Sequence, residues 1–332
     1  MQKTALIATL FVMGAILGGI IYVYIRSPGA SESPGAAITN VTPAPNAPTP
    51  TPYPQTTVLN TAELPLGDGR ISNGPKKRYI YSCQTTFTSA PSSNDPWIHG
   101  DTWDANQKPV VSGSVPWPKA TLDIHILGAI RFIIGDALPY QTQTGEFPAT
   151  GSADKIVPQS LSFELSNDPT VAKTASCVPA NGIVGMAANG VPIYSGINQY
   201  GQDAMAHDSL DSCSGHPDST GLYHYYDPIG CVPGAAQNNT LIGFAMDGFG
   251  IYSMFGQNGK EITNADLDEC HGTTGEVPWN GRTVNMYHYV VTREYPYTVG
   301  CFKGSPIRIK PKEPVPSATS SATPATSSSS VR

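Results

Sequence analysis

Two tripeptides, Tyr223-His224-Tyr225 and Tyr287-His288-Tyr289, each set an imidazole between two phenols. In an extended strand, successive side chains point to opposite faces. Tyr223 and Tyr225 then share one face while His224 and Tyr226 share the other, and Tyr287 and Tyr289 oppose His288 and Val290 in the same way. Paired tyrosines suit a core edge where their hydroxyls reach polar partners. Histidines offer more chemistry, because a neutral imidazole with a carboxylate can hold zinc or copper, or position a water for hydrolysis. His224, His288, His216 and Asp247 are the candidate metal ligands, with His224 and His288 meeting on one ion. The competing role for each histidine is a hydrogen bond to a carboxylate or backbone carbonyl, and His207 and His271 fit that role better. His99 sits in Trp97-Ile98-His99-Gly100-Asp101-Thr102-Trp103, where the tryptophans either stack on a sugar or simply pack.

These residues belong to a longer repeat. Gly185 to Tyr194 (GMAANGVPIY) returns as Gly243 to Tyr252 (GFAMDGFGIY), and Leu210-Asp211-Ser212-Cys213 returns as Leu267-Asp268-Glu269-Cys270. The Tyr-His-Tyr elements follow in the same order, and then Gly230-Cys231 is matched by Gly300-Cys301. Two copies of one unit, about 182–234 and 240–304, predict packing about a pseudo-twofold axis. Asn189-Gly190 and Asp247-Gly248 predict hairpins closed by type I′ turns, in which both central residues need positive φ.

The fold class expected is all-β, mainly antiparallel, with an internal duplication and a few short helices; the alternative is α+β. Polar–apolar alternation over Thr121 to Ile126 predicts a half-buried strand, and Val110 to Val115, Arg131 to Ile134 and Leu161 to Leu165 read as further strands. Short helices are expected around Asp203 to Leu210 and Asn264 to Glu269, the latter capped by Asn264.

Six cysteines, Cys83, Cys177, Cys213, Cys231, Cys270 and Cys301, are widely spaced without a C-x-x-C, which suggests disulfides in an oxidising compartment rather than a zinc ribbon. The spacing alone leaves their connectivity open. If each copy bridges around its own Tyr-His-Tyr, Cys213 joins Cys231, Cys270 joins Cys301, and Cys83 is left for Cys177. A Cys213–Cys270 bond would instead staple the copies together.

Asp211 to Tyr226, with its cysteine, His216 and Tyr223-His224-Tyr225-Tyr226, resembles the cysteine-plus-YHYH signature of the bacterial YHYH-domain family. Leu241 to Tyr252 and Met286 to Gly304 resemble two further blocks of that family, and the likeness spans about Thr121 to Gly304. The resemblance implies a fold family and candidate residues rather than a reaction. The family's tetrad ends in histidine, whereas Tyr226 and Val290 stand there in the two copies.

Ala5 to Ile25 is an unbroken apolar run between Lys3 and Arg26, long enough for a hydrocarbon core of about 30 Å. It is expected to be an uncleaved signal anchor (1–26), the alternative being a cleaved signal peptide and a secreted protein. Residues 27–66 read as a Pro/Thr-rich spacer, 67–310 as the globular domain and 311–332 as a Ser/Thr/Pro tail. A net charge of −6 without a basic stripe argues against a nucleic-acid partner. There is no phosphate-binding loop, nucleophile elbow, H-E-x-x-H or EF-hand pattern, so an enzyme has no motif in its favour. The expected function is therefore a membrane-anchored, extracytoplasmic binding domain for a small molecule, glycan or cell-surface partner. It would use zinc or copper at the Tyr-His-Tyr elements. The alternatives are a metal-assisted hydrolase or oxidoreductase on the same residues, and a purely structural surface domain.

Overall fold

Alternation of side chains gives a strand one face for the core and another for solvent or a second layer. The computed structural model describes residues 59–92, 95–113, 119–139, 145–147 and 155–307. The apolar run Ala5–Ile25, most of the spacer and the tail 311–332 lie outside the described residues. Among the described residues no helix is long and apolar enough to cross a membrane.

Short strands open the domain: β1 (Leu64–Pro65), β2 (Ile71–Ser72), β3 (Ile80–Tyr81), β4 (Ile98–His99) and β5 (Thr102–Trp103). They form two small sheets, β1-β5-β4 and β2-β3. Leu64 and Leu66 are buried with Trp103, so packed structure starts ahead of the composition change at Gly67. Next comes an antiparallel sheet of β6 (Leu122–Leu127), β7 (Ile130–Gly135) and β8 (Leu161–Ser166), three of the four segments expected to be strands. Val110 to Val115 does not join them. Val111 makes an isolated bridge to Asp211, and 114–118 lie outside the described residues.

The repeat builds one eight-stranded sheet. Its strands are β9 (Ile183–Ala187), β10 (Pro192–Tyr194), β11 (Gly215–Pro217) and β12 (Tyr223–Tyr225) from the first copy. The second copy supplies β13 (Leu241–Ala245), β14 (Gly250–Tyr252), β15 (Gly272–Trp279) and β16 (Arg282–Val290). The order β11-β12-β10-β9-β13-β14-β16-β15 reads the same from either edge once β9 is equated with β13 and so on. β9 and β13 run antiparallel, with Gly243 opposite Ala187, Phe244 opposite Met186 and Ala245 opposite Gly185. Met186 and Phe244 are equivalent in the repeat, so the pseudo-twofold axis passes between them. Each copy also repeats one parallel pairing, Ile193 with Tyr225 and Ile251 with Tyr289.

The hairpins close differently from expectation. Gly190 (φ 86°) and Gly248 (φ 92°) are left-handed, but Asn189 and Asp247 are not. Gly190 N donates to Ala187 O and Ala187 N to Val191 O, and Gly248, Ala245 and Phe249 repeat that pair of bonds. This is a type I turn followed by a left-handed glycine, the three-residue hairpin loop. The Asx side chain therefore keeps a right-handed backbone and remains available for other bonds.

The fold is all-β and mostly antiparallel. The one α-helix among the described residues is α1 (Ala204–His207), capped by Asp203, whose carboxylate accepts from Met205 N. The second expected helix, Asn264 to Glu269, is a set of turns. Asn264 does not cap it, because Asn264 N donates to Glu294 Oε2 and its amide donates to Tyr295 O. Arg131 ties β7 to the large sheet, lying over the rings of Phe244 (4.1 Å) and Trp279 (4.8 Å). Its guanidinium also donates to Asn167 and Asn280.

Candidate functional site

On the tyrosine face, each copy repeats one clasp. Tyr223 Oη donates to Asp211 Oδ2 at 2.7 Å, and the other oxygen of Asp211 accepts from Cys213 N and Gly215 N. Tyr287 and Asp268 form the matching clasp, but there a single oxygen, Asp268 Oδ1, accepts from Tyr287 Oη, Cys270 N and Gly272 N, and Oδ2 accepts from Lys303 Nζ. Gly215 is required because a Cβ there would lie 2.6 Å from the Tyr223 hydroxyl. Tyr225 Oη accepts from Asn189 Nδ2 at 3.0 Å, whereas its equivalent Tyr289 donates to Asp247 Oδ2 at 2.6 Å. Both tripeptides thus close hydrogen bonds inside the core, and burial raises the phenol pKa values of Tyr223 and Tyr289.

On the opposite face of β12 the first copy opens into a cleft of about 720 Å³. His224, 1% exposed, forms part of its wall with Tyr194, Tyr226, His216, Asp208 and Asp218. His224 Nδ1 lies 3.2 Å from Leu222 O. A carbonyl only accepts, so Nδ1 carries the proton and Nε2 carries a lone pair. That Nε2 is buried and has no protein partner. Burial, then the neighbouring His216, holds the imidazole well below the usual histidine range, so it is neutral at pH 7.

Two phenol–carboxylate pairs flank this imidazole. Tyr194 stacks on it at 3.7 Å between ring centroids and donates to Asp218 Oδ2 at 3.0 Å. Tyr226 meets it edge-on at 5.2 Å and donates to Asp208 Oδ2 at 2.9 Å. With its proton given to Asp208, the Tyr226 oxygen accepts from His216 Nε2 at 3.3 Å, which leaves the lone pair of His216 on Nδ1. Burial lowers the pKa of His216 against the pull of Asp208. The fourth tetrad position is therefore used in this chain, with a phenol in place of an imidazole.

The second copy keeps the clasp but not the polar residues that surround the first histidine. His288 Nδ1 faces Met286 O at 3.1 Å, as His224 does Leu222. However, the counterparts of Asp208, His216 and Tyr226 are Ala265, Thr273 and Val290. Tyr252, the counterpart of Tyr194, donates to the backbone oxygen of Pro278 rather than to a carboxylate. A hollow of about 470 Å³ near Tyr287 and Lys303 does not include His288. Another of about 200 Å³, lined by Lys108, Asp211, Asp227 and Arg293, includes neither His224 nor His288.

The shared metal ion is overturned by this arrangement. β12 and β16 are five strand steps apart in the sheet, about 24 Å along it at about 4.8 Å per step. Zinc–nitrogen bonds are only about 2 Å, so His224 and His288 cannot meet on one ion. The duplication places them symmetrically about the axis but far out on either side. Asp247 is not near them in function either. It lies on the tyrosine face, accepting from Tyr289 Oη and Gly304 N, and burial raises its pKa. His216 is the one expected ligand that the fold brings to His224, at 4.7 Å between ring centroids. No cluster of three or more potential metal ligands occurs among the described residues.

A family model described as YHYH protein matches residues 162–265. Residues 162–265 carry a YHYH domain. The matched stretch holds Tyr194, Asp208, His216, Asp218 and the whole Tyr223-to-Tyr226 tetrad, so the YHYH segment is the cleft-bearing one. No curated protein and no solved structure matches the chain.

The chain carries three disulfides, Cys83–Cys177, Cys213–Cys231 and Cys270–Cys301, one around each Tyr-His-Tyr and one outside the repeat. The tryptophans of Trp97-to-Trp103 pack: Trp103 is buried and Trp97 Nε1 donates to Ala206 O. His271 is buried beside Thr292 Oγ1, and His207 bridges Asp68 and Asp95 at 3.0 Å each. Sequence reasoning misses Tyr194 and Asp218. The available signal is divergence between the copies, since the positions at which they differ in polarity surround His224.

Proposed function

We propose that this chain is an extracytoplasmic binding domain whose ligand site is the cleft at the first Tyr-His-Tyr. The observation that carries the reading is His224 Nε2, a buried nitrogen lone pair on the cleft wall with no protein partner. An unsatisfied buried polar group costs about 1–3 kcal/mol, and a ligand donor would recover that cost. Nearly the same strand in the second copy stands without these polar residues around His288, so the motif's structural clasp and its polar site are separable. Three disulfides fit an oxidising, exported location. Ala5–Ile25 would tether the domain to the membrane through the Pro/Thr-rich spacer.

A second reading, hydrolysis, has one observation in its favour: a neutral imidazole with a free Nε2 is also the form a general base takes. No activated serine or cysteine stands with it among the described residues, which favours binding.

The test is a thermal-shift screen of a metabolite and oligosaccharide library on the full-length chain in detergent. Ligands that raise the melting temperature of the wild type should lose that effect in His216→Ala and keep it in His288→Ala. Hits that depend on His288, or on neither histidine, would refute the assignment.

A further inference from the structure

The cleft presents acceptors almost wherever its polar atoms are fixed. His224 Nε2 can only accept. The protons of Tyr194 and Tyr226 are committed to Asp218 and Asp208, so these phenols offer only lone pairs to the space in front of them. Asp218 takes up Thr220 and Leu222 N–H groups with its other oxygen, and Asp208 takes the Asn198 amide. Both carboxylates are thereby fixed in place rather than free to swing.

The charges point the same way. Asp208 and Asp218 stand in the wall, and Asp68 and Asp95 lie directly behind it on His207. Against these four carboxylates stand two basic groups, His207 and Lys108. Lys108 is turned away, donating to the backbone oxygen of Asp208 at 2.6 Å. His207 is held between its two aspartates. The aromatic surfaces of Tyr194, Tyr200 and Tyr226 complete the wall. Carboxylates beside ring faces recognise an organic cation, by charge, by hydrogen bonds and by cation–π attraction.

We propose that the ligand of this cleft is an organic cation with an ammonium or guanidinium head, which donates to His224 Nε2 and is paired with Asp208 and Asp218. The inference rests on the cleft being the ligand site and adds the chemical class. An anion would face Asp208 and Asp218 in the wall, with Asp68 and Asp95 behind it, and a neutral polyol would leave that charge unused. A bare metal ion would find two histidines without a third ligand cluster among the described residues.

Lysinamide, its doubly acetylated uncharged form, and succinate serve as probes for the full-length chain in detergent, with binding followed by saturation-transfer NMR and calorimetry. Lysinamide should bind, and acetylation should weaken binding at least tenfold, with no binding of succinate. Asp208→Asn and Asp218→Asn keep an acceptor oxygen for their tyrosines and should each weaken lysinamide about tenfold, with Asp268→Asn on the second copy as the unaffected control. Circular dichroism and melting temperature verify that each variant is folded. If the acetylated form or succinate binds as well as lysinamide, the cation assignment fails while the cleft stands. Binding of lysinamide that ignores both substitutions means that the site itself is elsewhere. If none of the three probes binds, the cation assignment is again overturned, and the library screen alone then decides the cleft.

Discussion

At the scale of single residues, the two faces of β12 have opposite hydrogen-bond economies. Tyr223 and Tyr225 end on partners inside the core, and Asp211 collects three backbone N–H groups in addition to the Tyr223 hydroxyl. Asp211→Ala would leave all four donors without their acceptor in a buried place. It should destabilise the domain by about 2–4 kcal/mol in urea unfolding. Asp268→Ala in the other copy, whose carboxylate is partly exposed beside Lys303, should cost clearly less. Equal costs would mean that the clasp does not depend on burial. The paired tyrosines are legible in the sequence because alternation along a strand is local. Where Asp211 or Asp247 points is not, since that depends on which strand lies alongside. Asp247 is expected beside a histidine, and the pleat of its neighbouring strand puts it with the tyrosine instead.

At the scale of elements, the repeat, the central strands and the hairpin positions are readable because each repeats a periodic or turn-forming pattern. The turn type is not, because a glycine after Asn or Asp suits both a two-residue and a three-residue loop. The order of strands decides the fate of the metal hypothesis: equivalence between copies does not bring residues together, and an axis between β9 and β13 sends β12 and β16 outwards. The three disulfides fasten the loops that flank these strands, and each stabilises by about 3–5 kcal/mol in the chain-entropy picture. His271 sits in the loop before β15, at φ 70°, and burial lowers its pKa to about 3. Above about pH 6.5 the imidazole is neutral in the folded and unfolded chain, and it contributes no pH dependence. Below that pH the unfolded chain gains a proton that the folded one refuses, so stability falls toward pH 3. His271→Asn tolerates the left-handed backbone and removes this loss. Between pH 6 and 4, wild-type stability should fall relative to the variant by up to about 1.4 kcal/mol per pH unit, read from urea midpoints. Parallel pH profiles would show that His271 is not buried as a neutral group.

At the scale of the molecule, duplication followed by divergence explains why one sheet carries two motifs with different surroundings. Both copies keep the tyrosine clasp, the hairpin loop and a flanking disulfide, which the sheet needs on each side of its axis. The first copy alone adds Asp208, His216 and Tyr226 around its histidine, and the second has Ala265, Thr273 and Val290. The central claim is thus that His224 is a neutral, Nδ1-protonated imidazole with a free Nε2 facing a ligand site. It is tested most directly by long-range proton–nitrogen NMR of the histidine side chains at pH 7, assigned with His224→Gln and His288→Gln. The expected result is an unprotonated Nε2 for His224, whose resonance moves when lysinamide or a hit from the library is added while that of His288 stays still. An Nε2-protonated or charged His224, or ligands that move His288 and leave His224 unchanged, would contradict it.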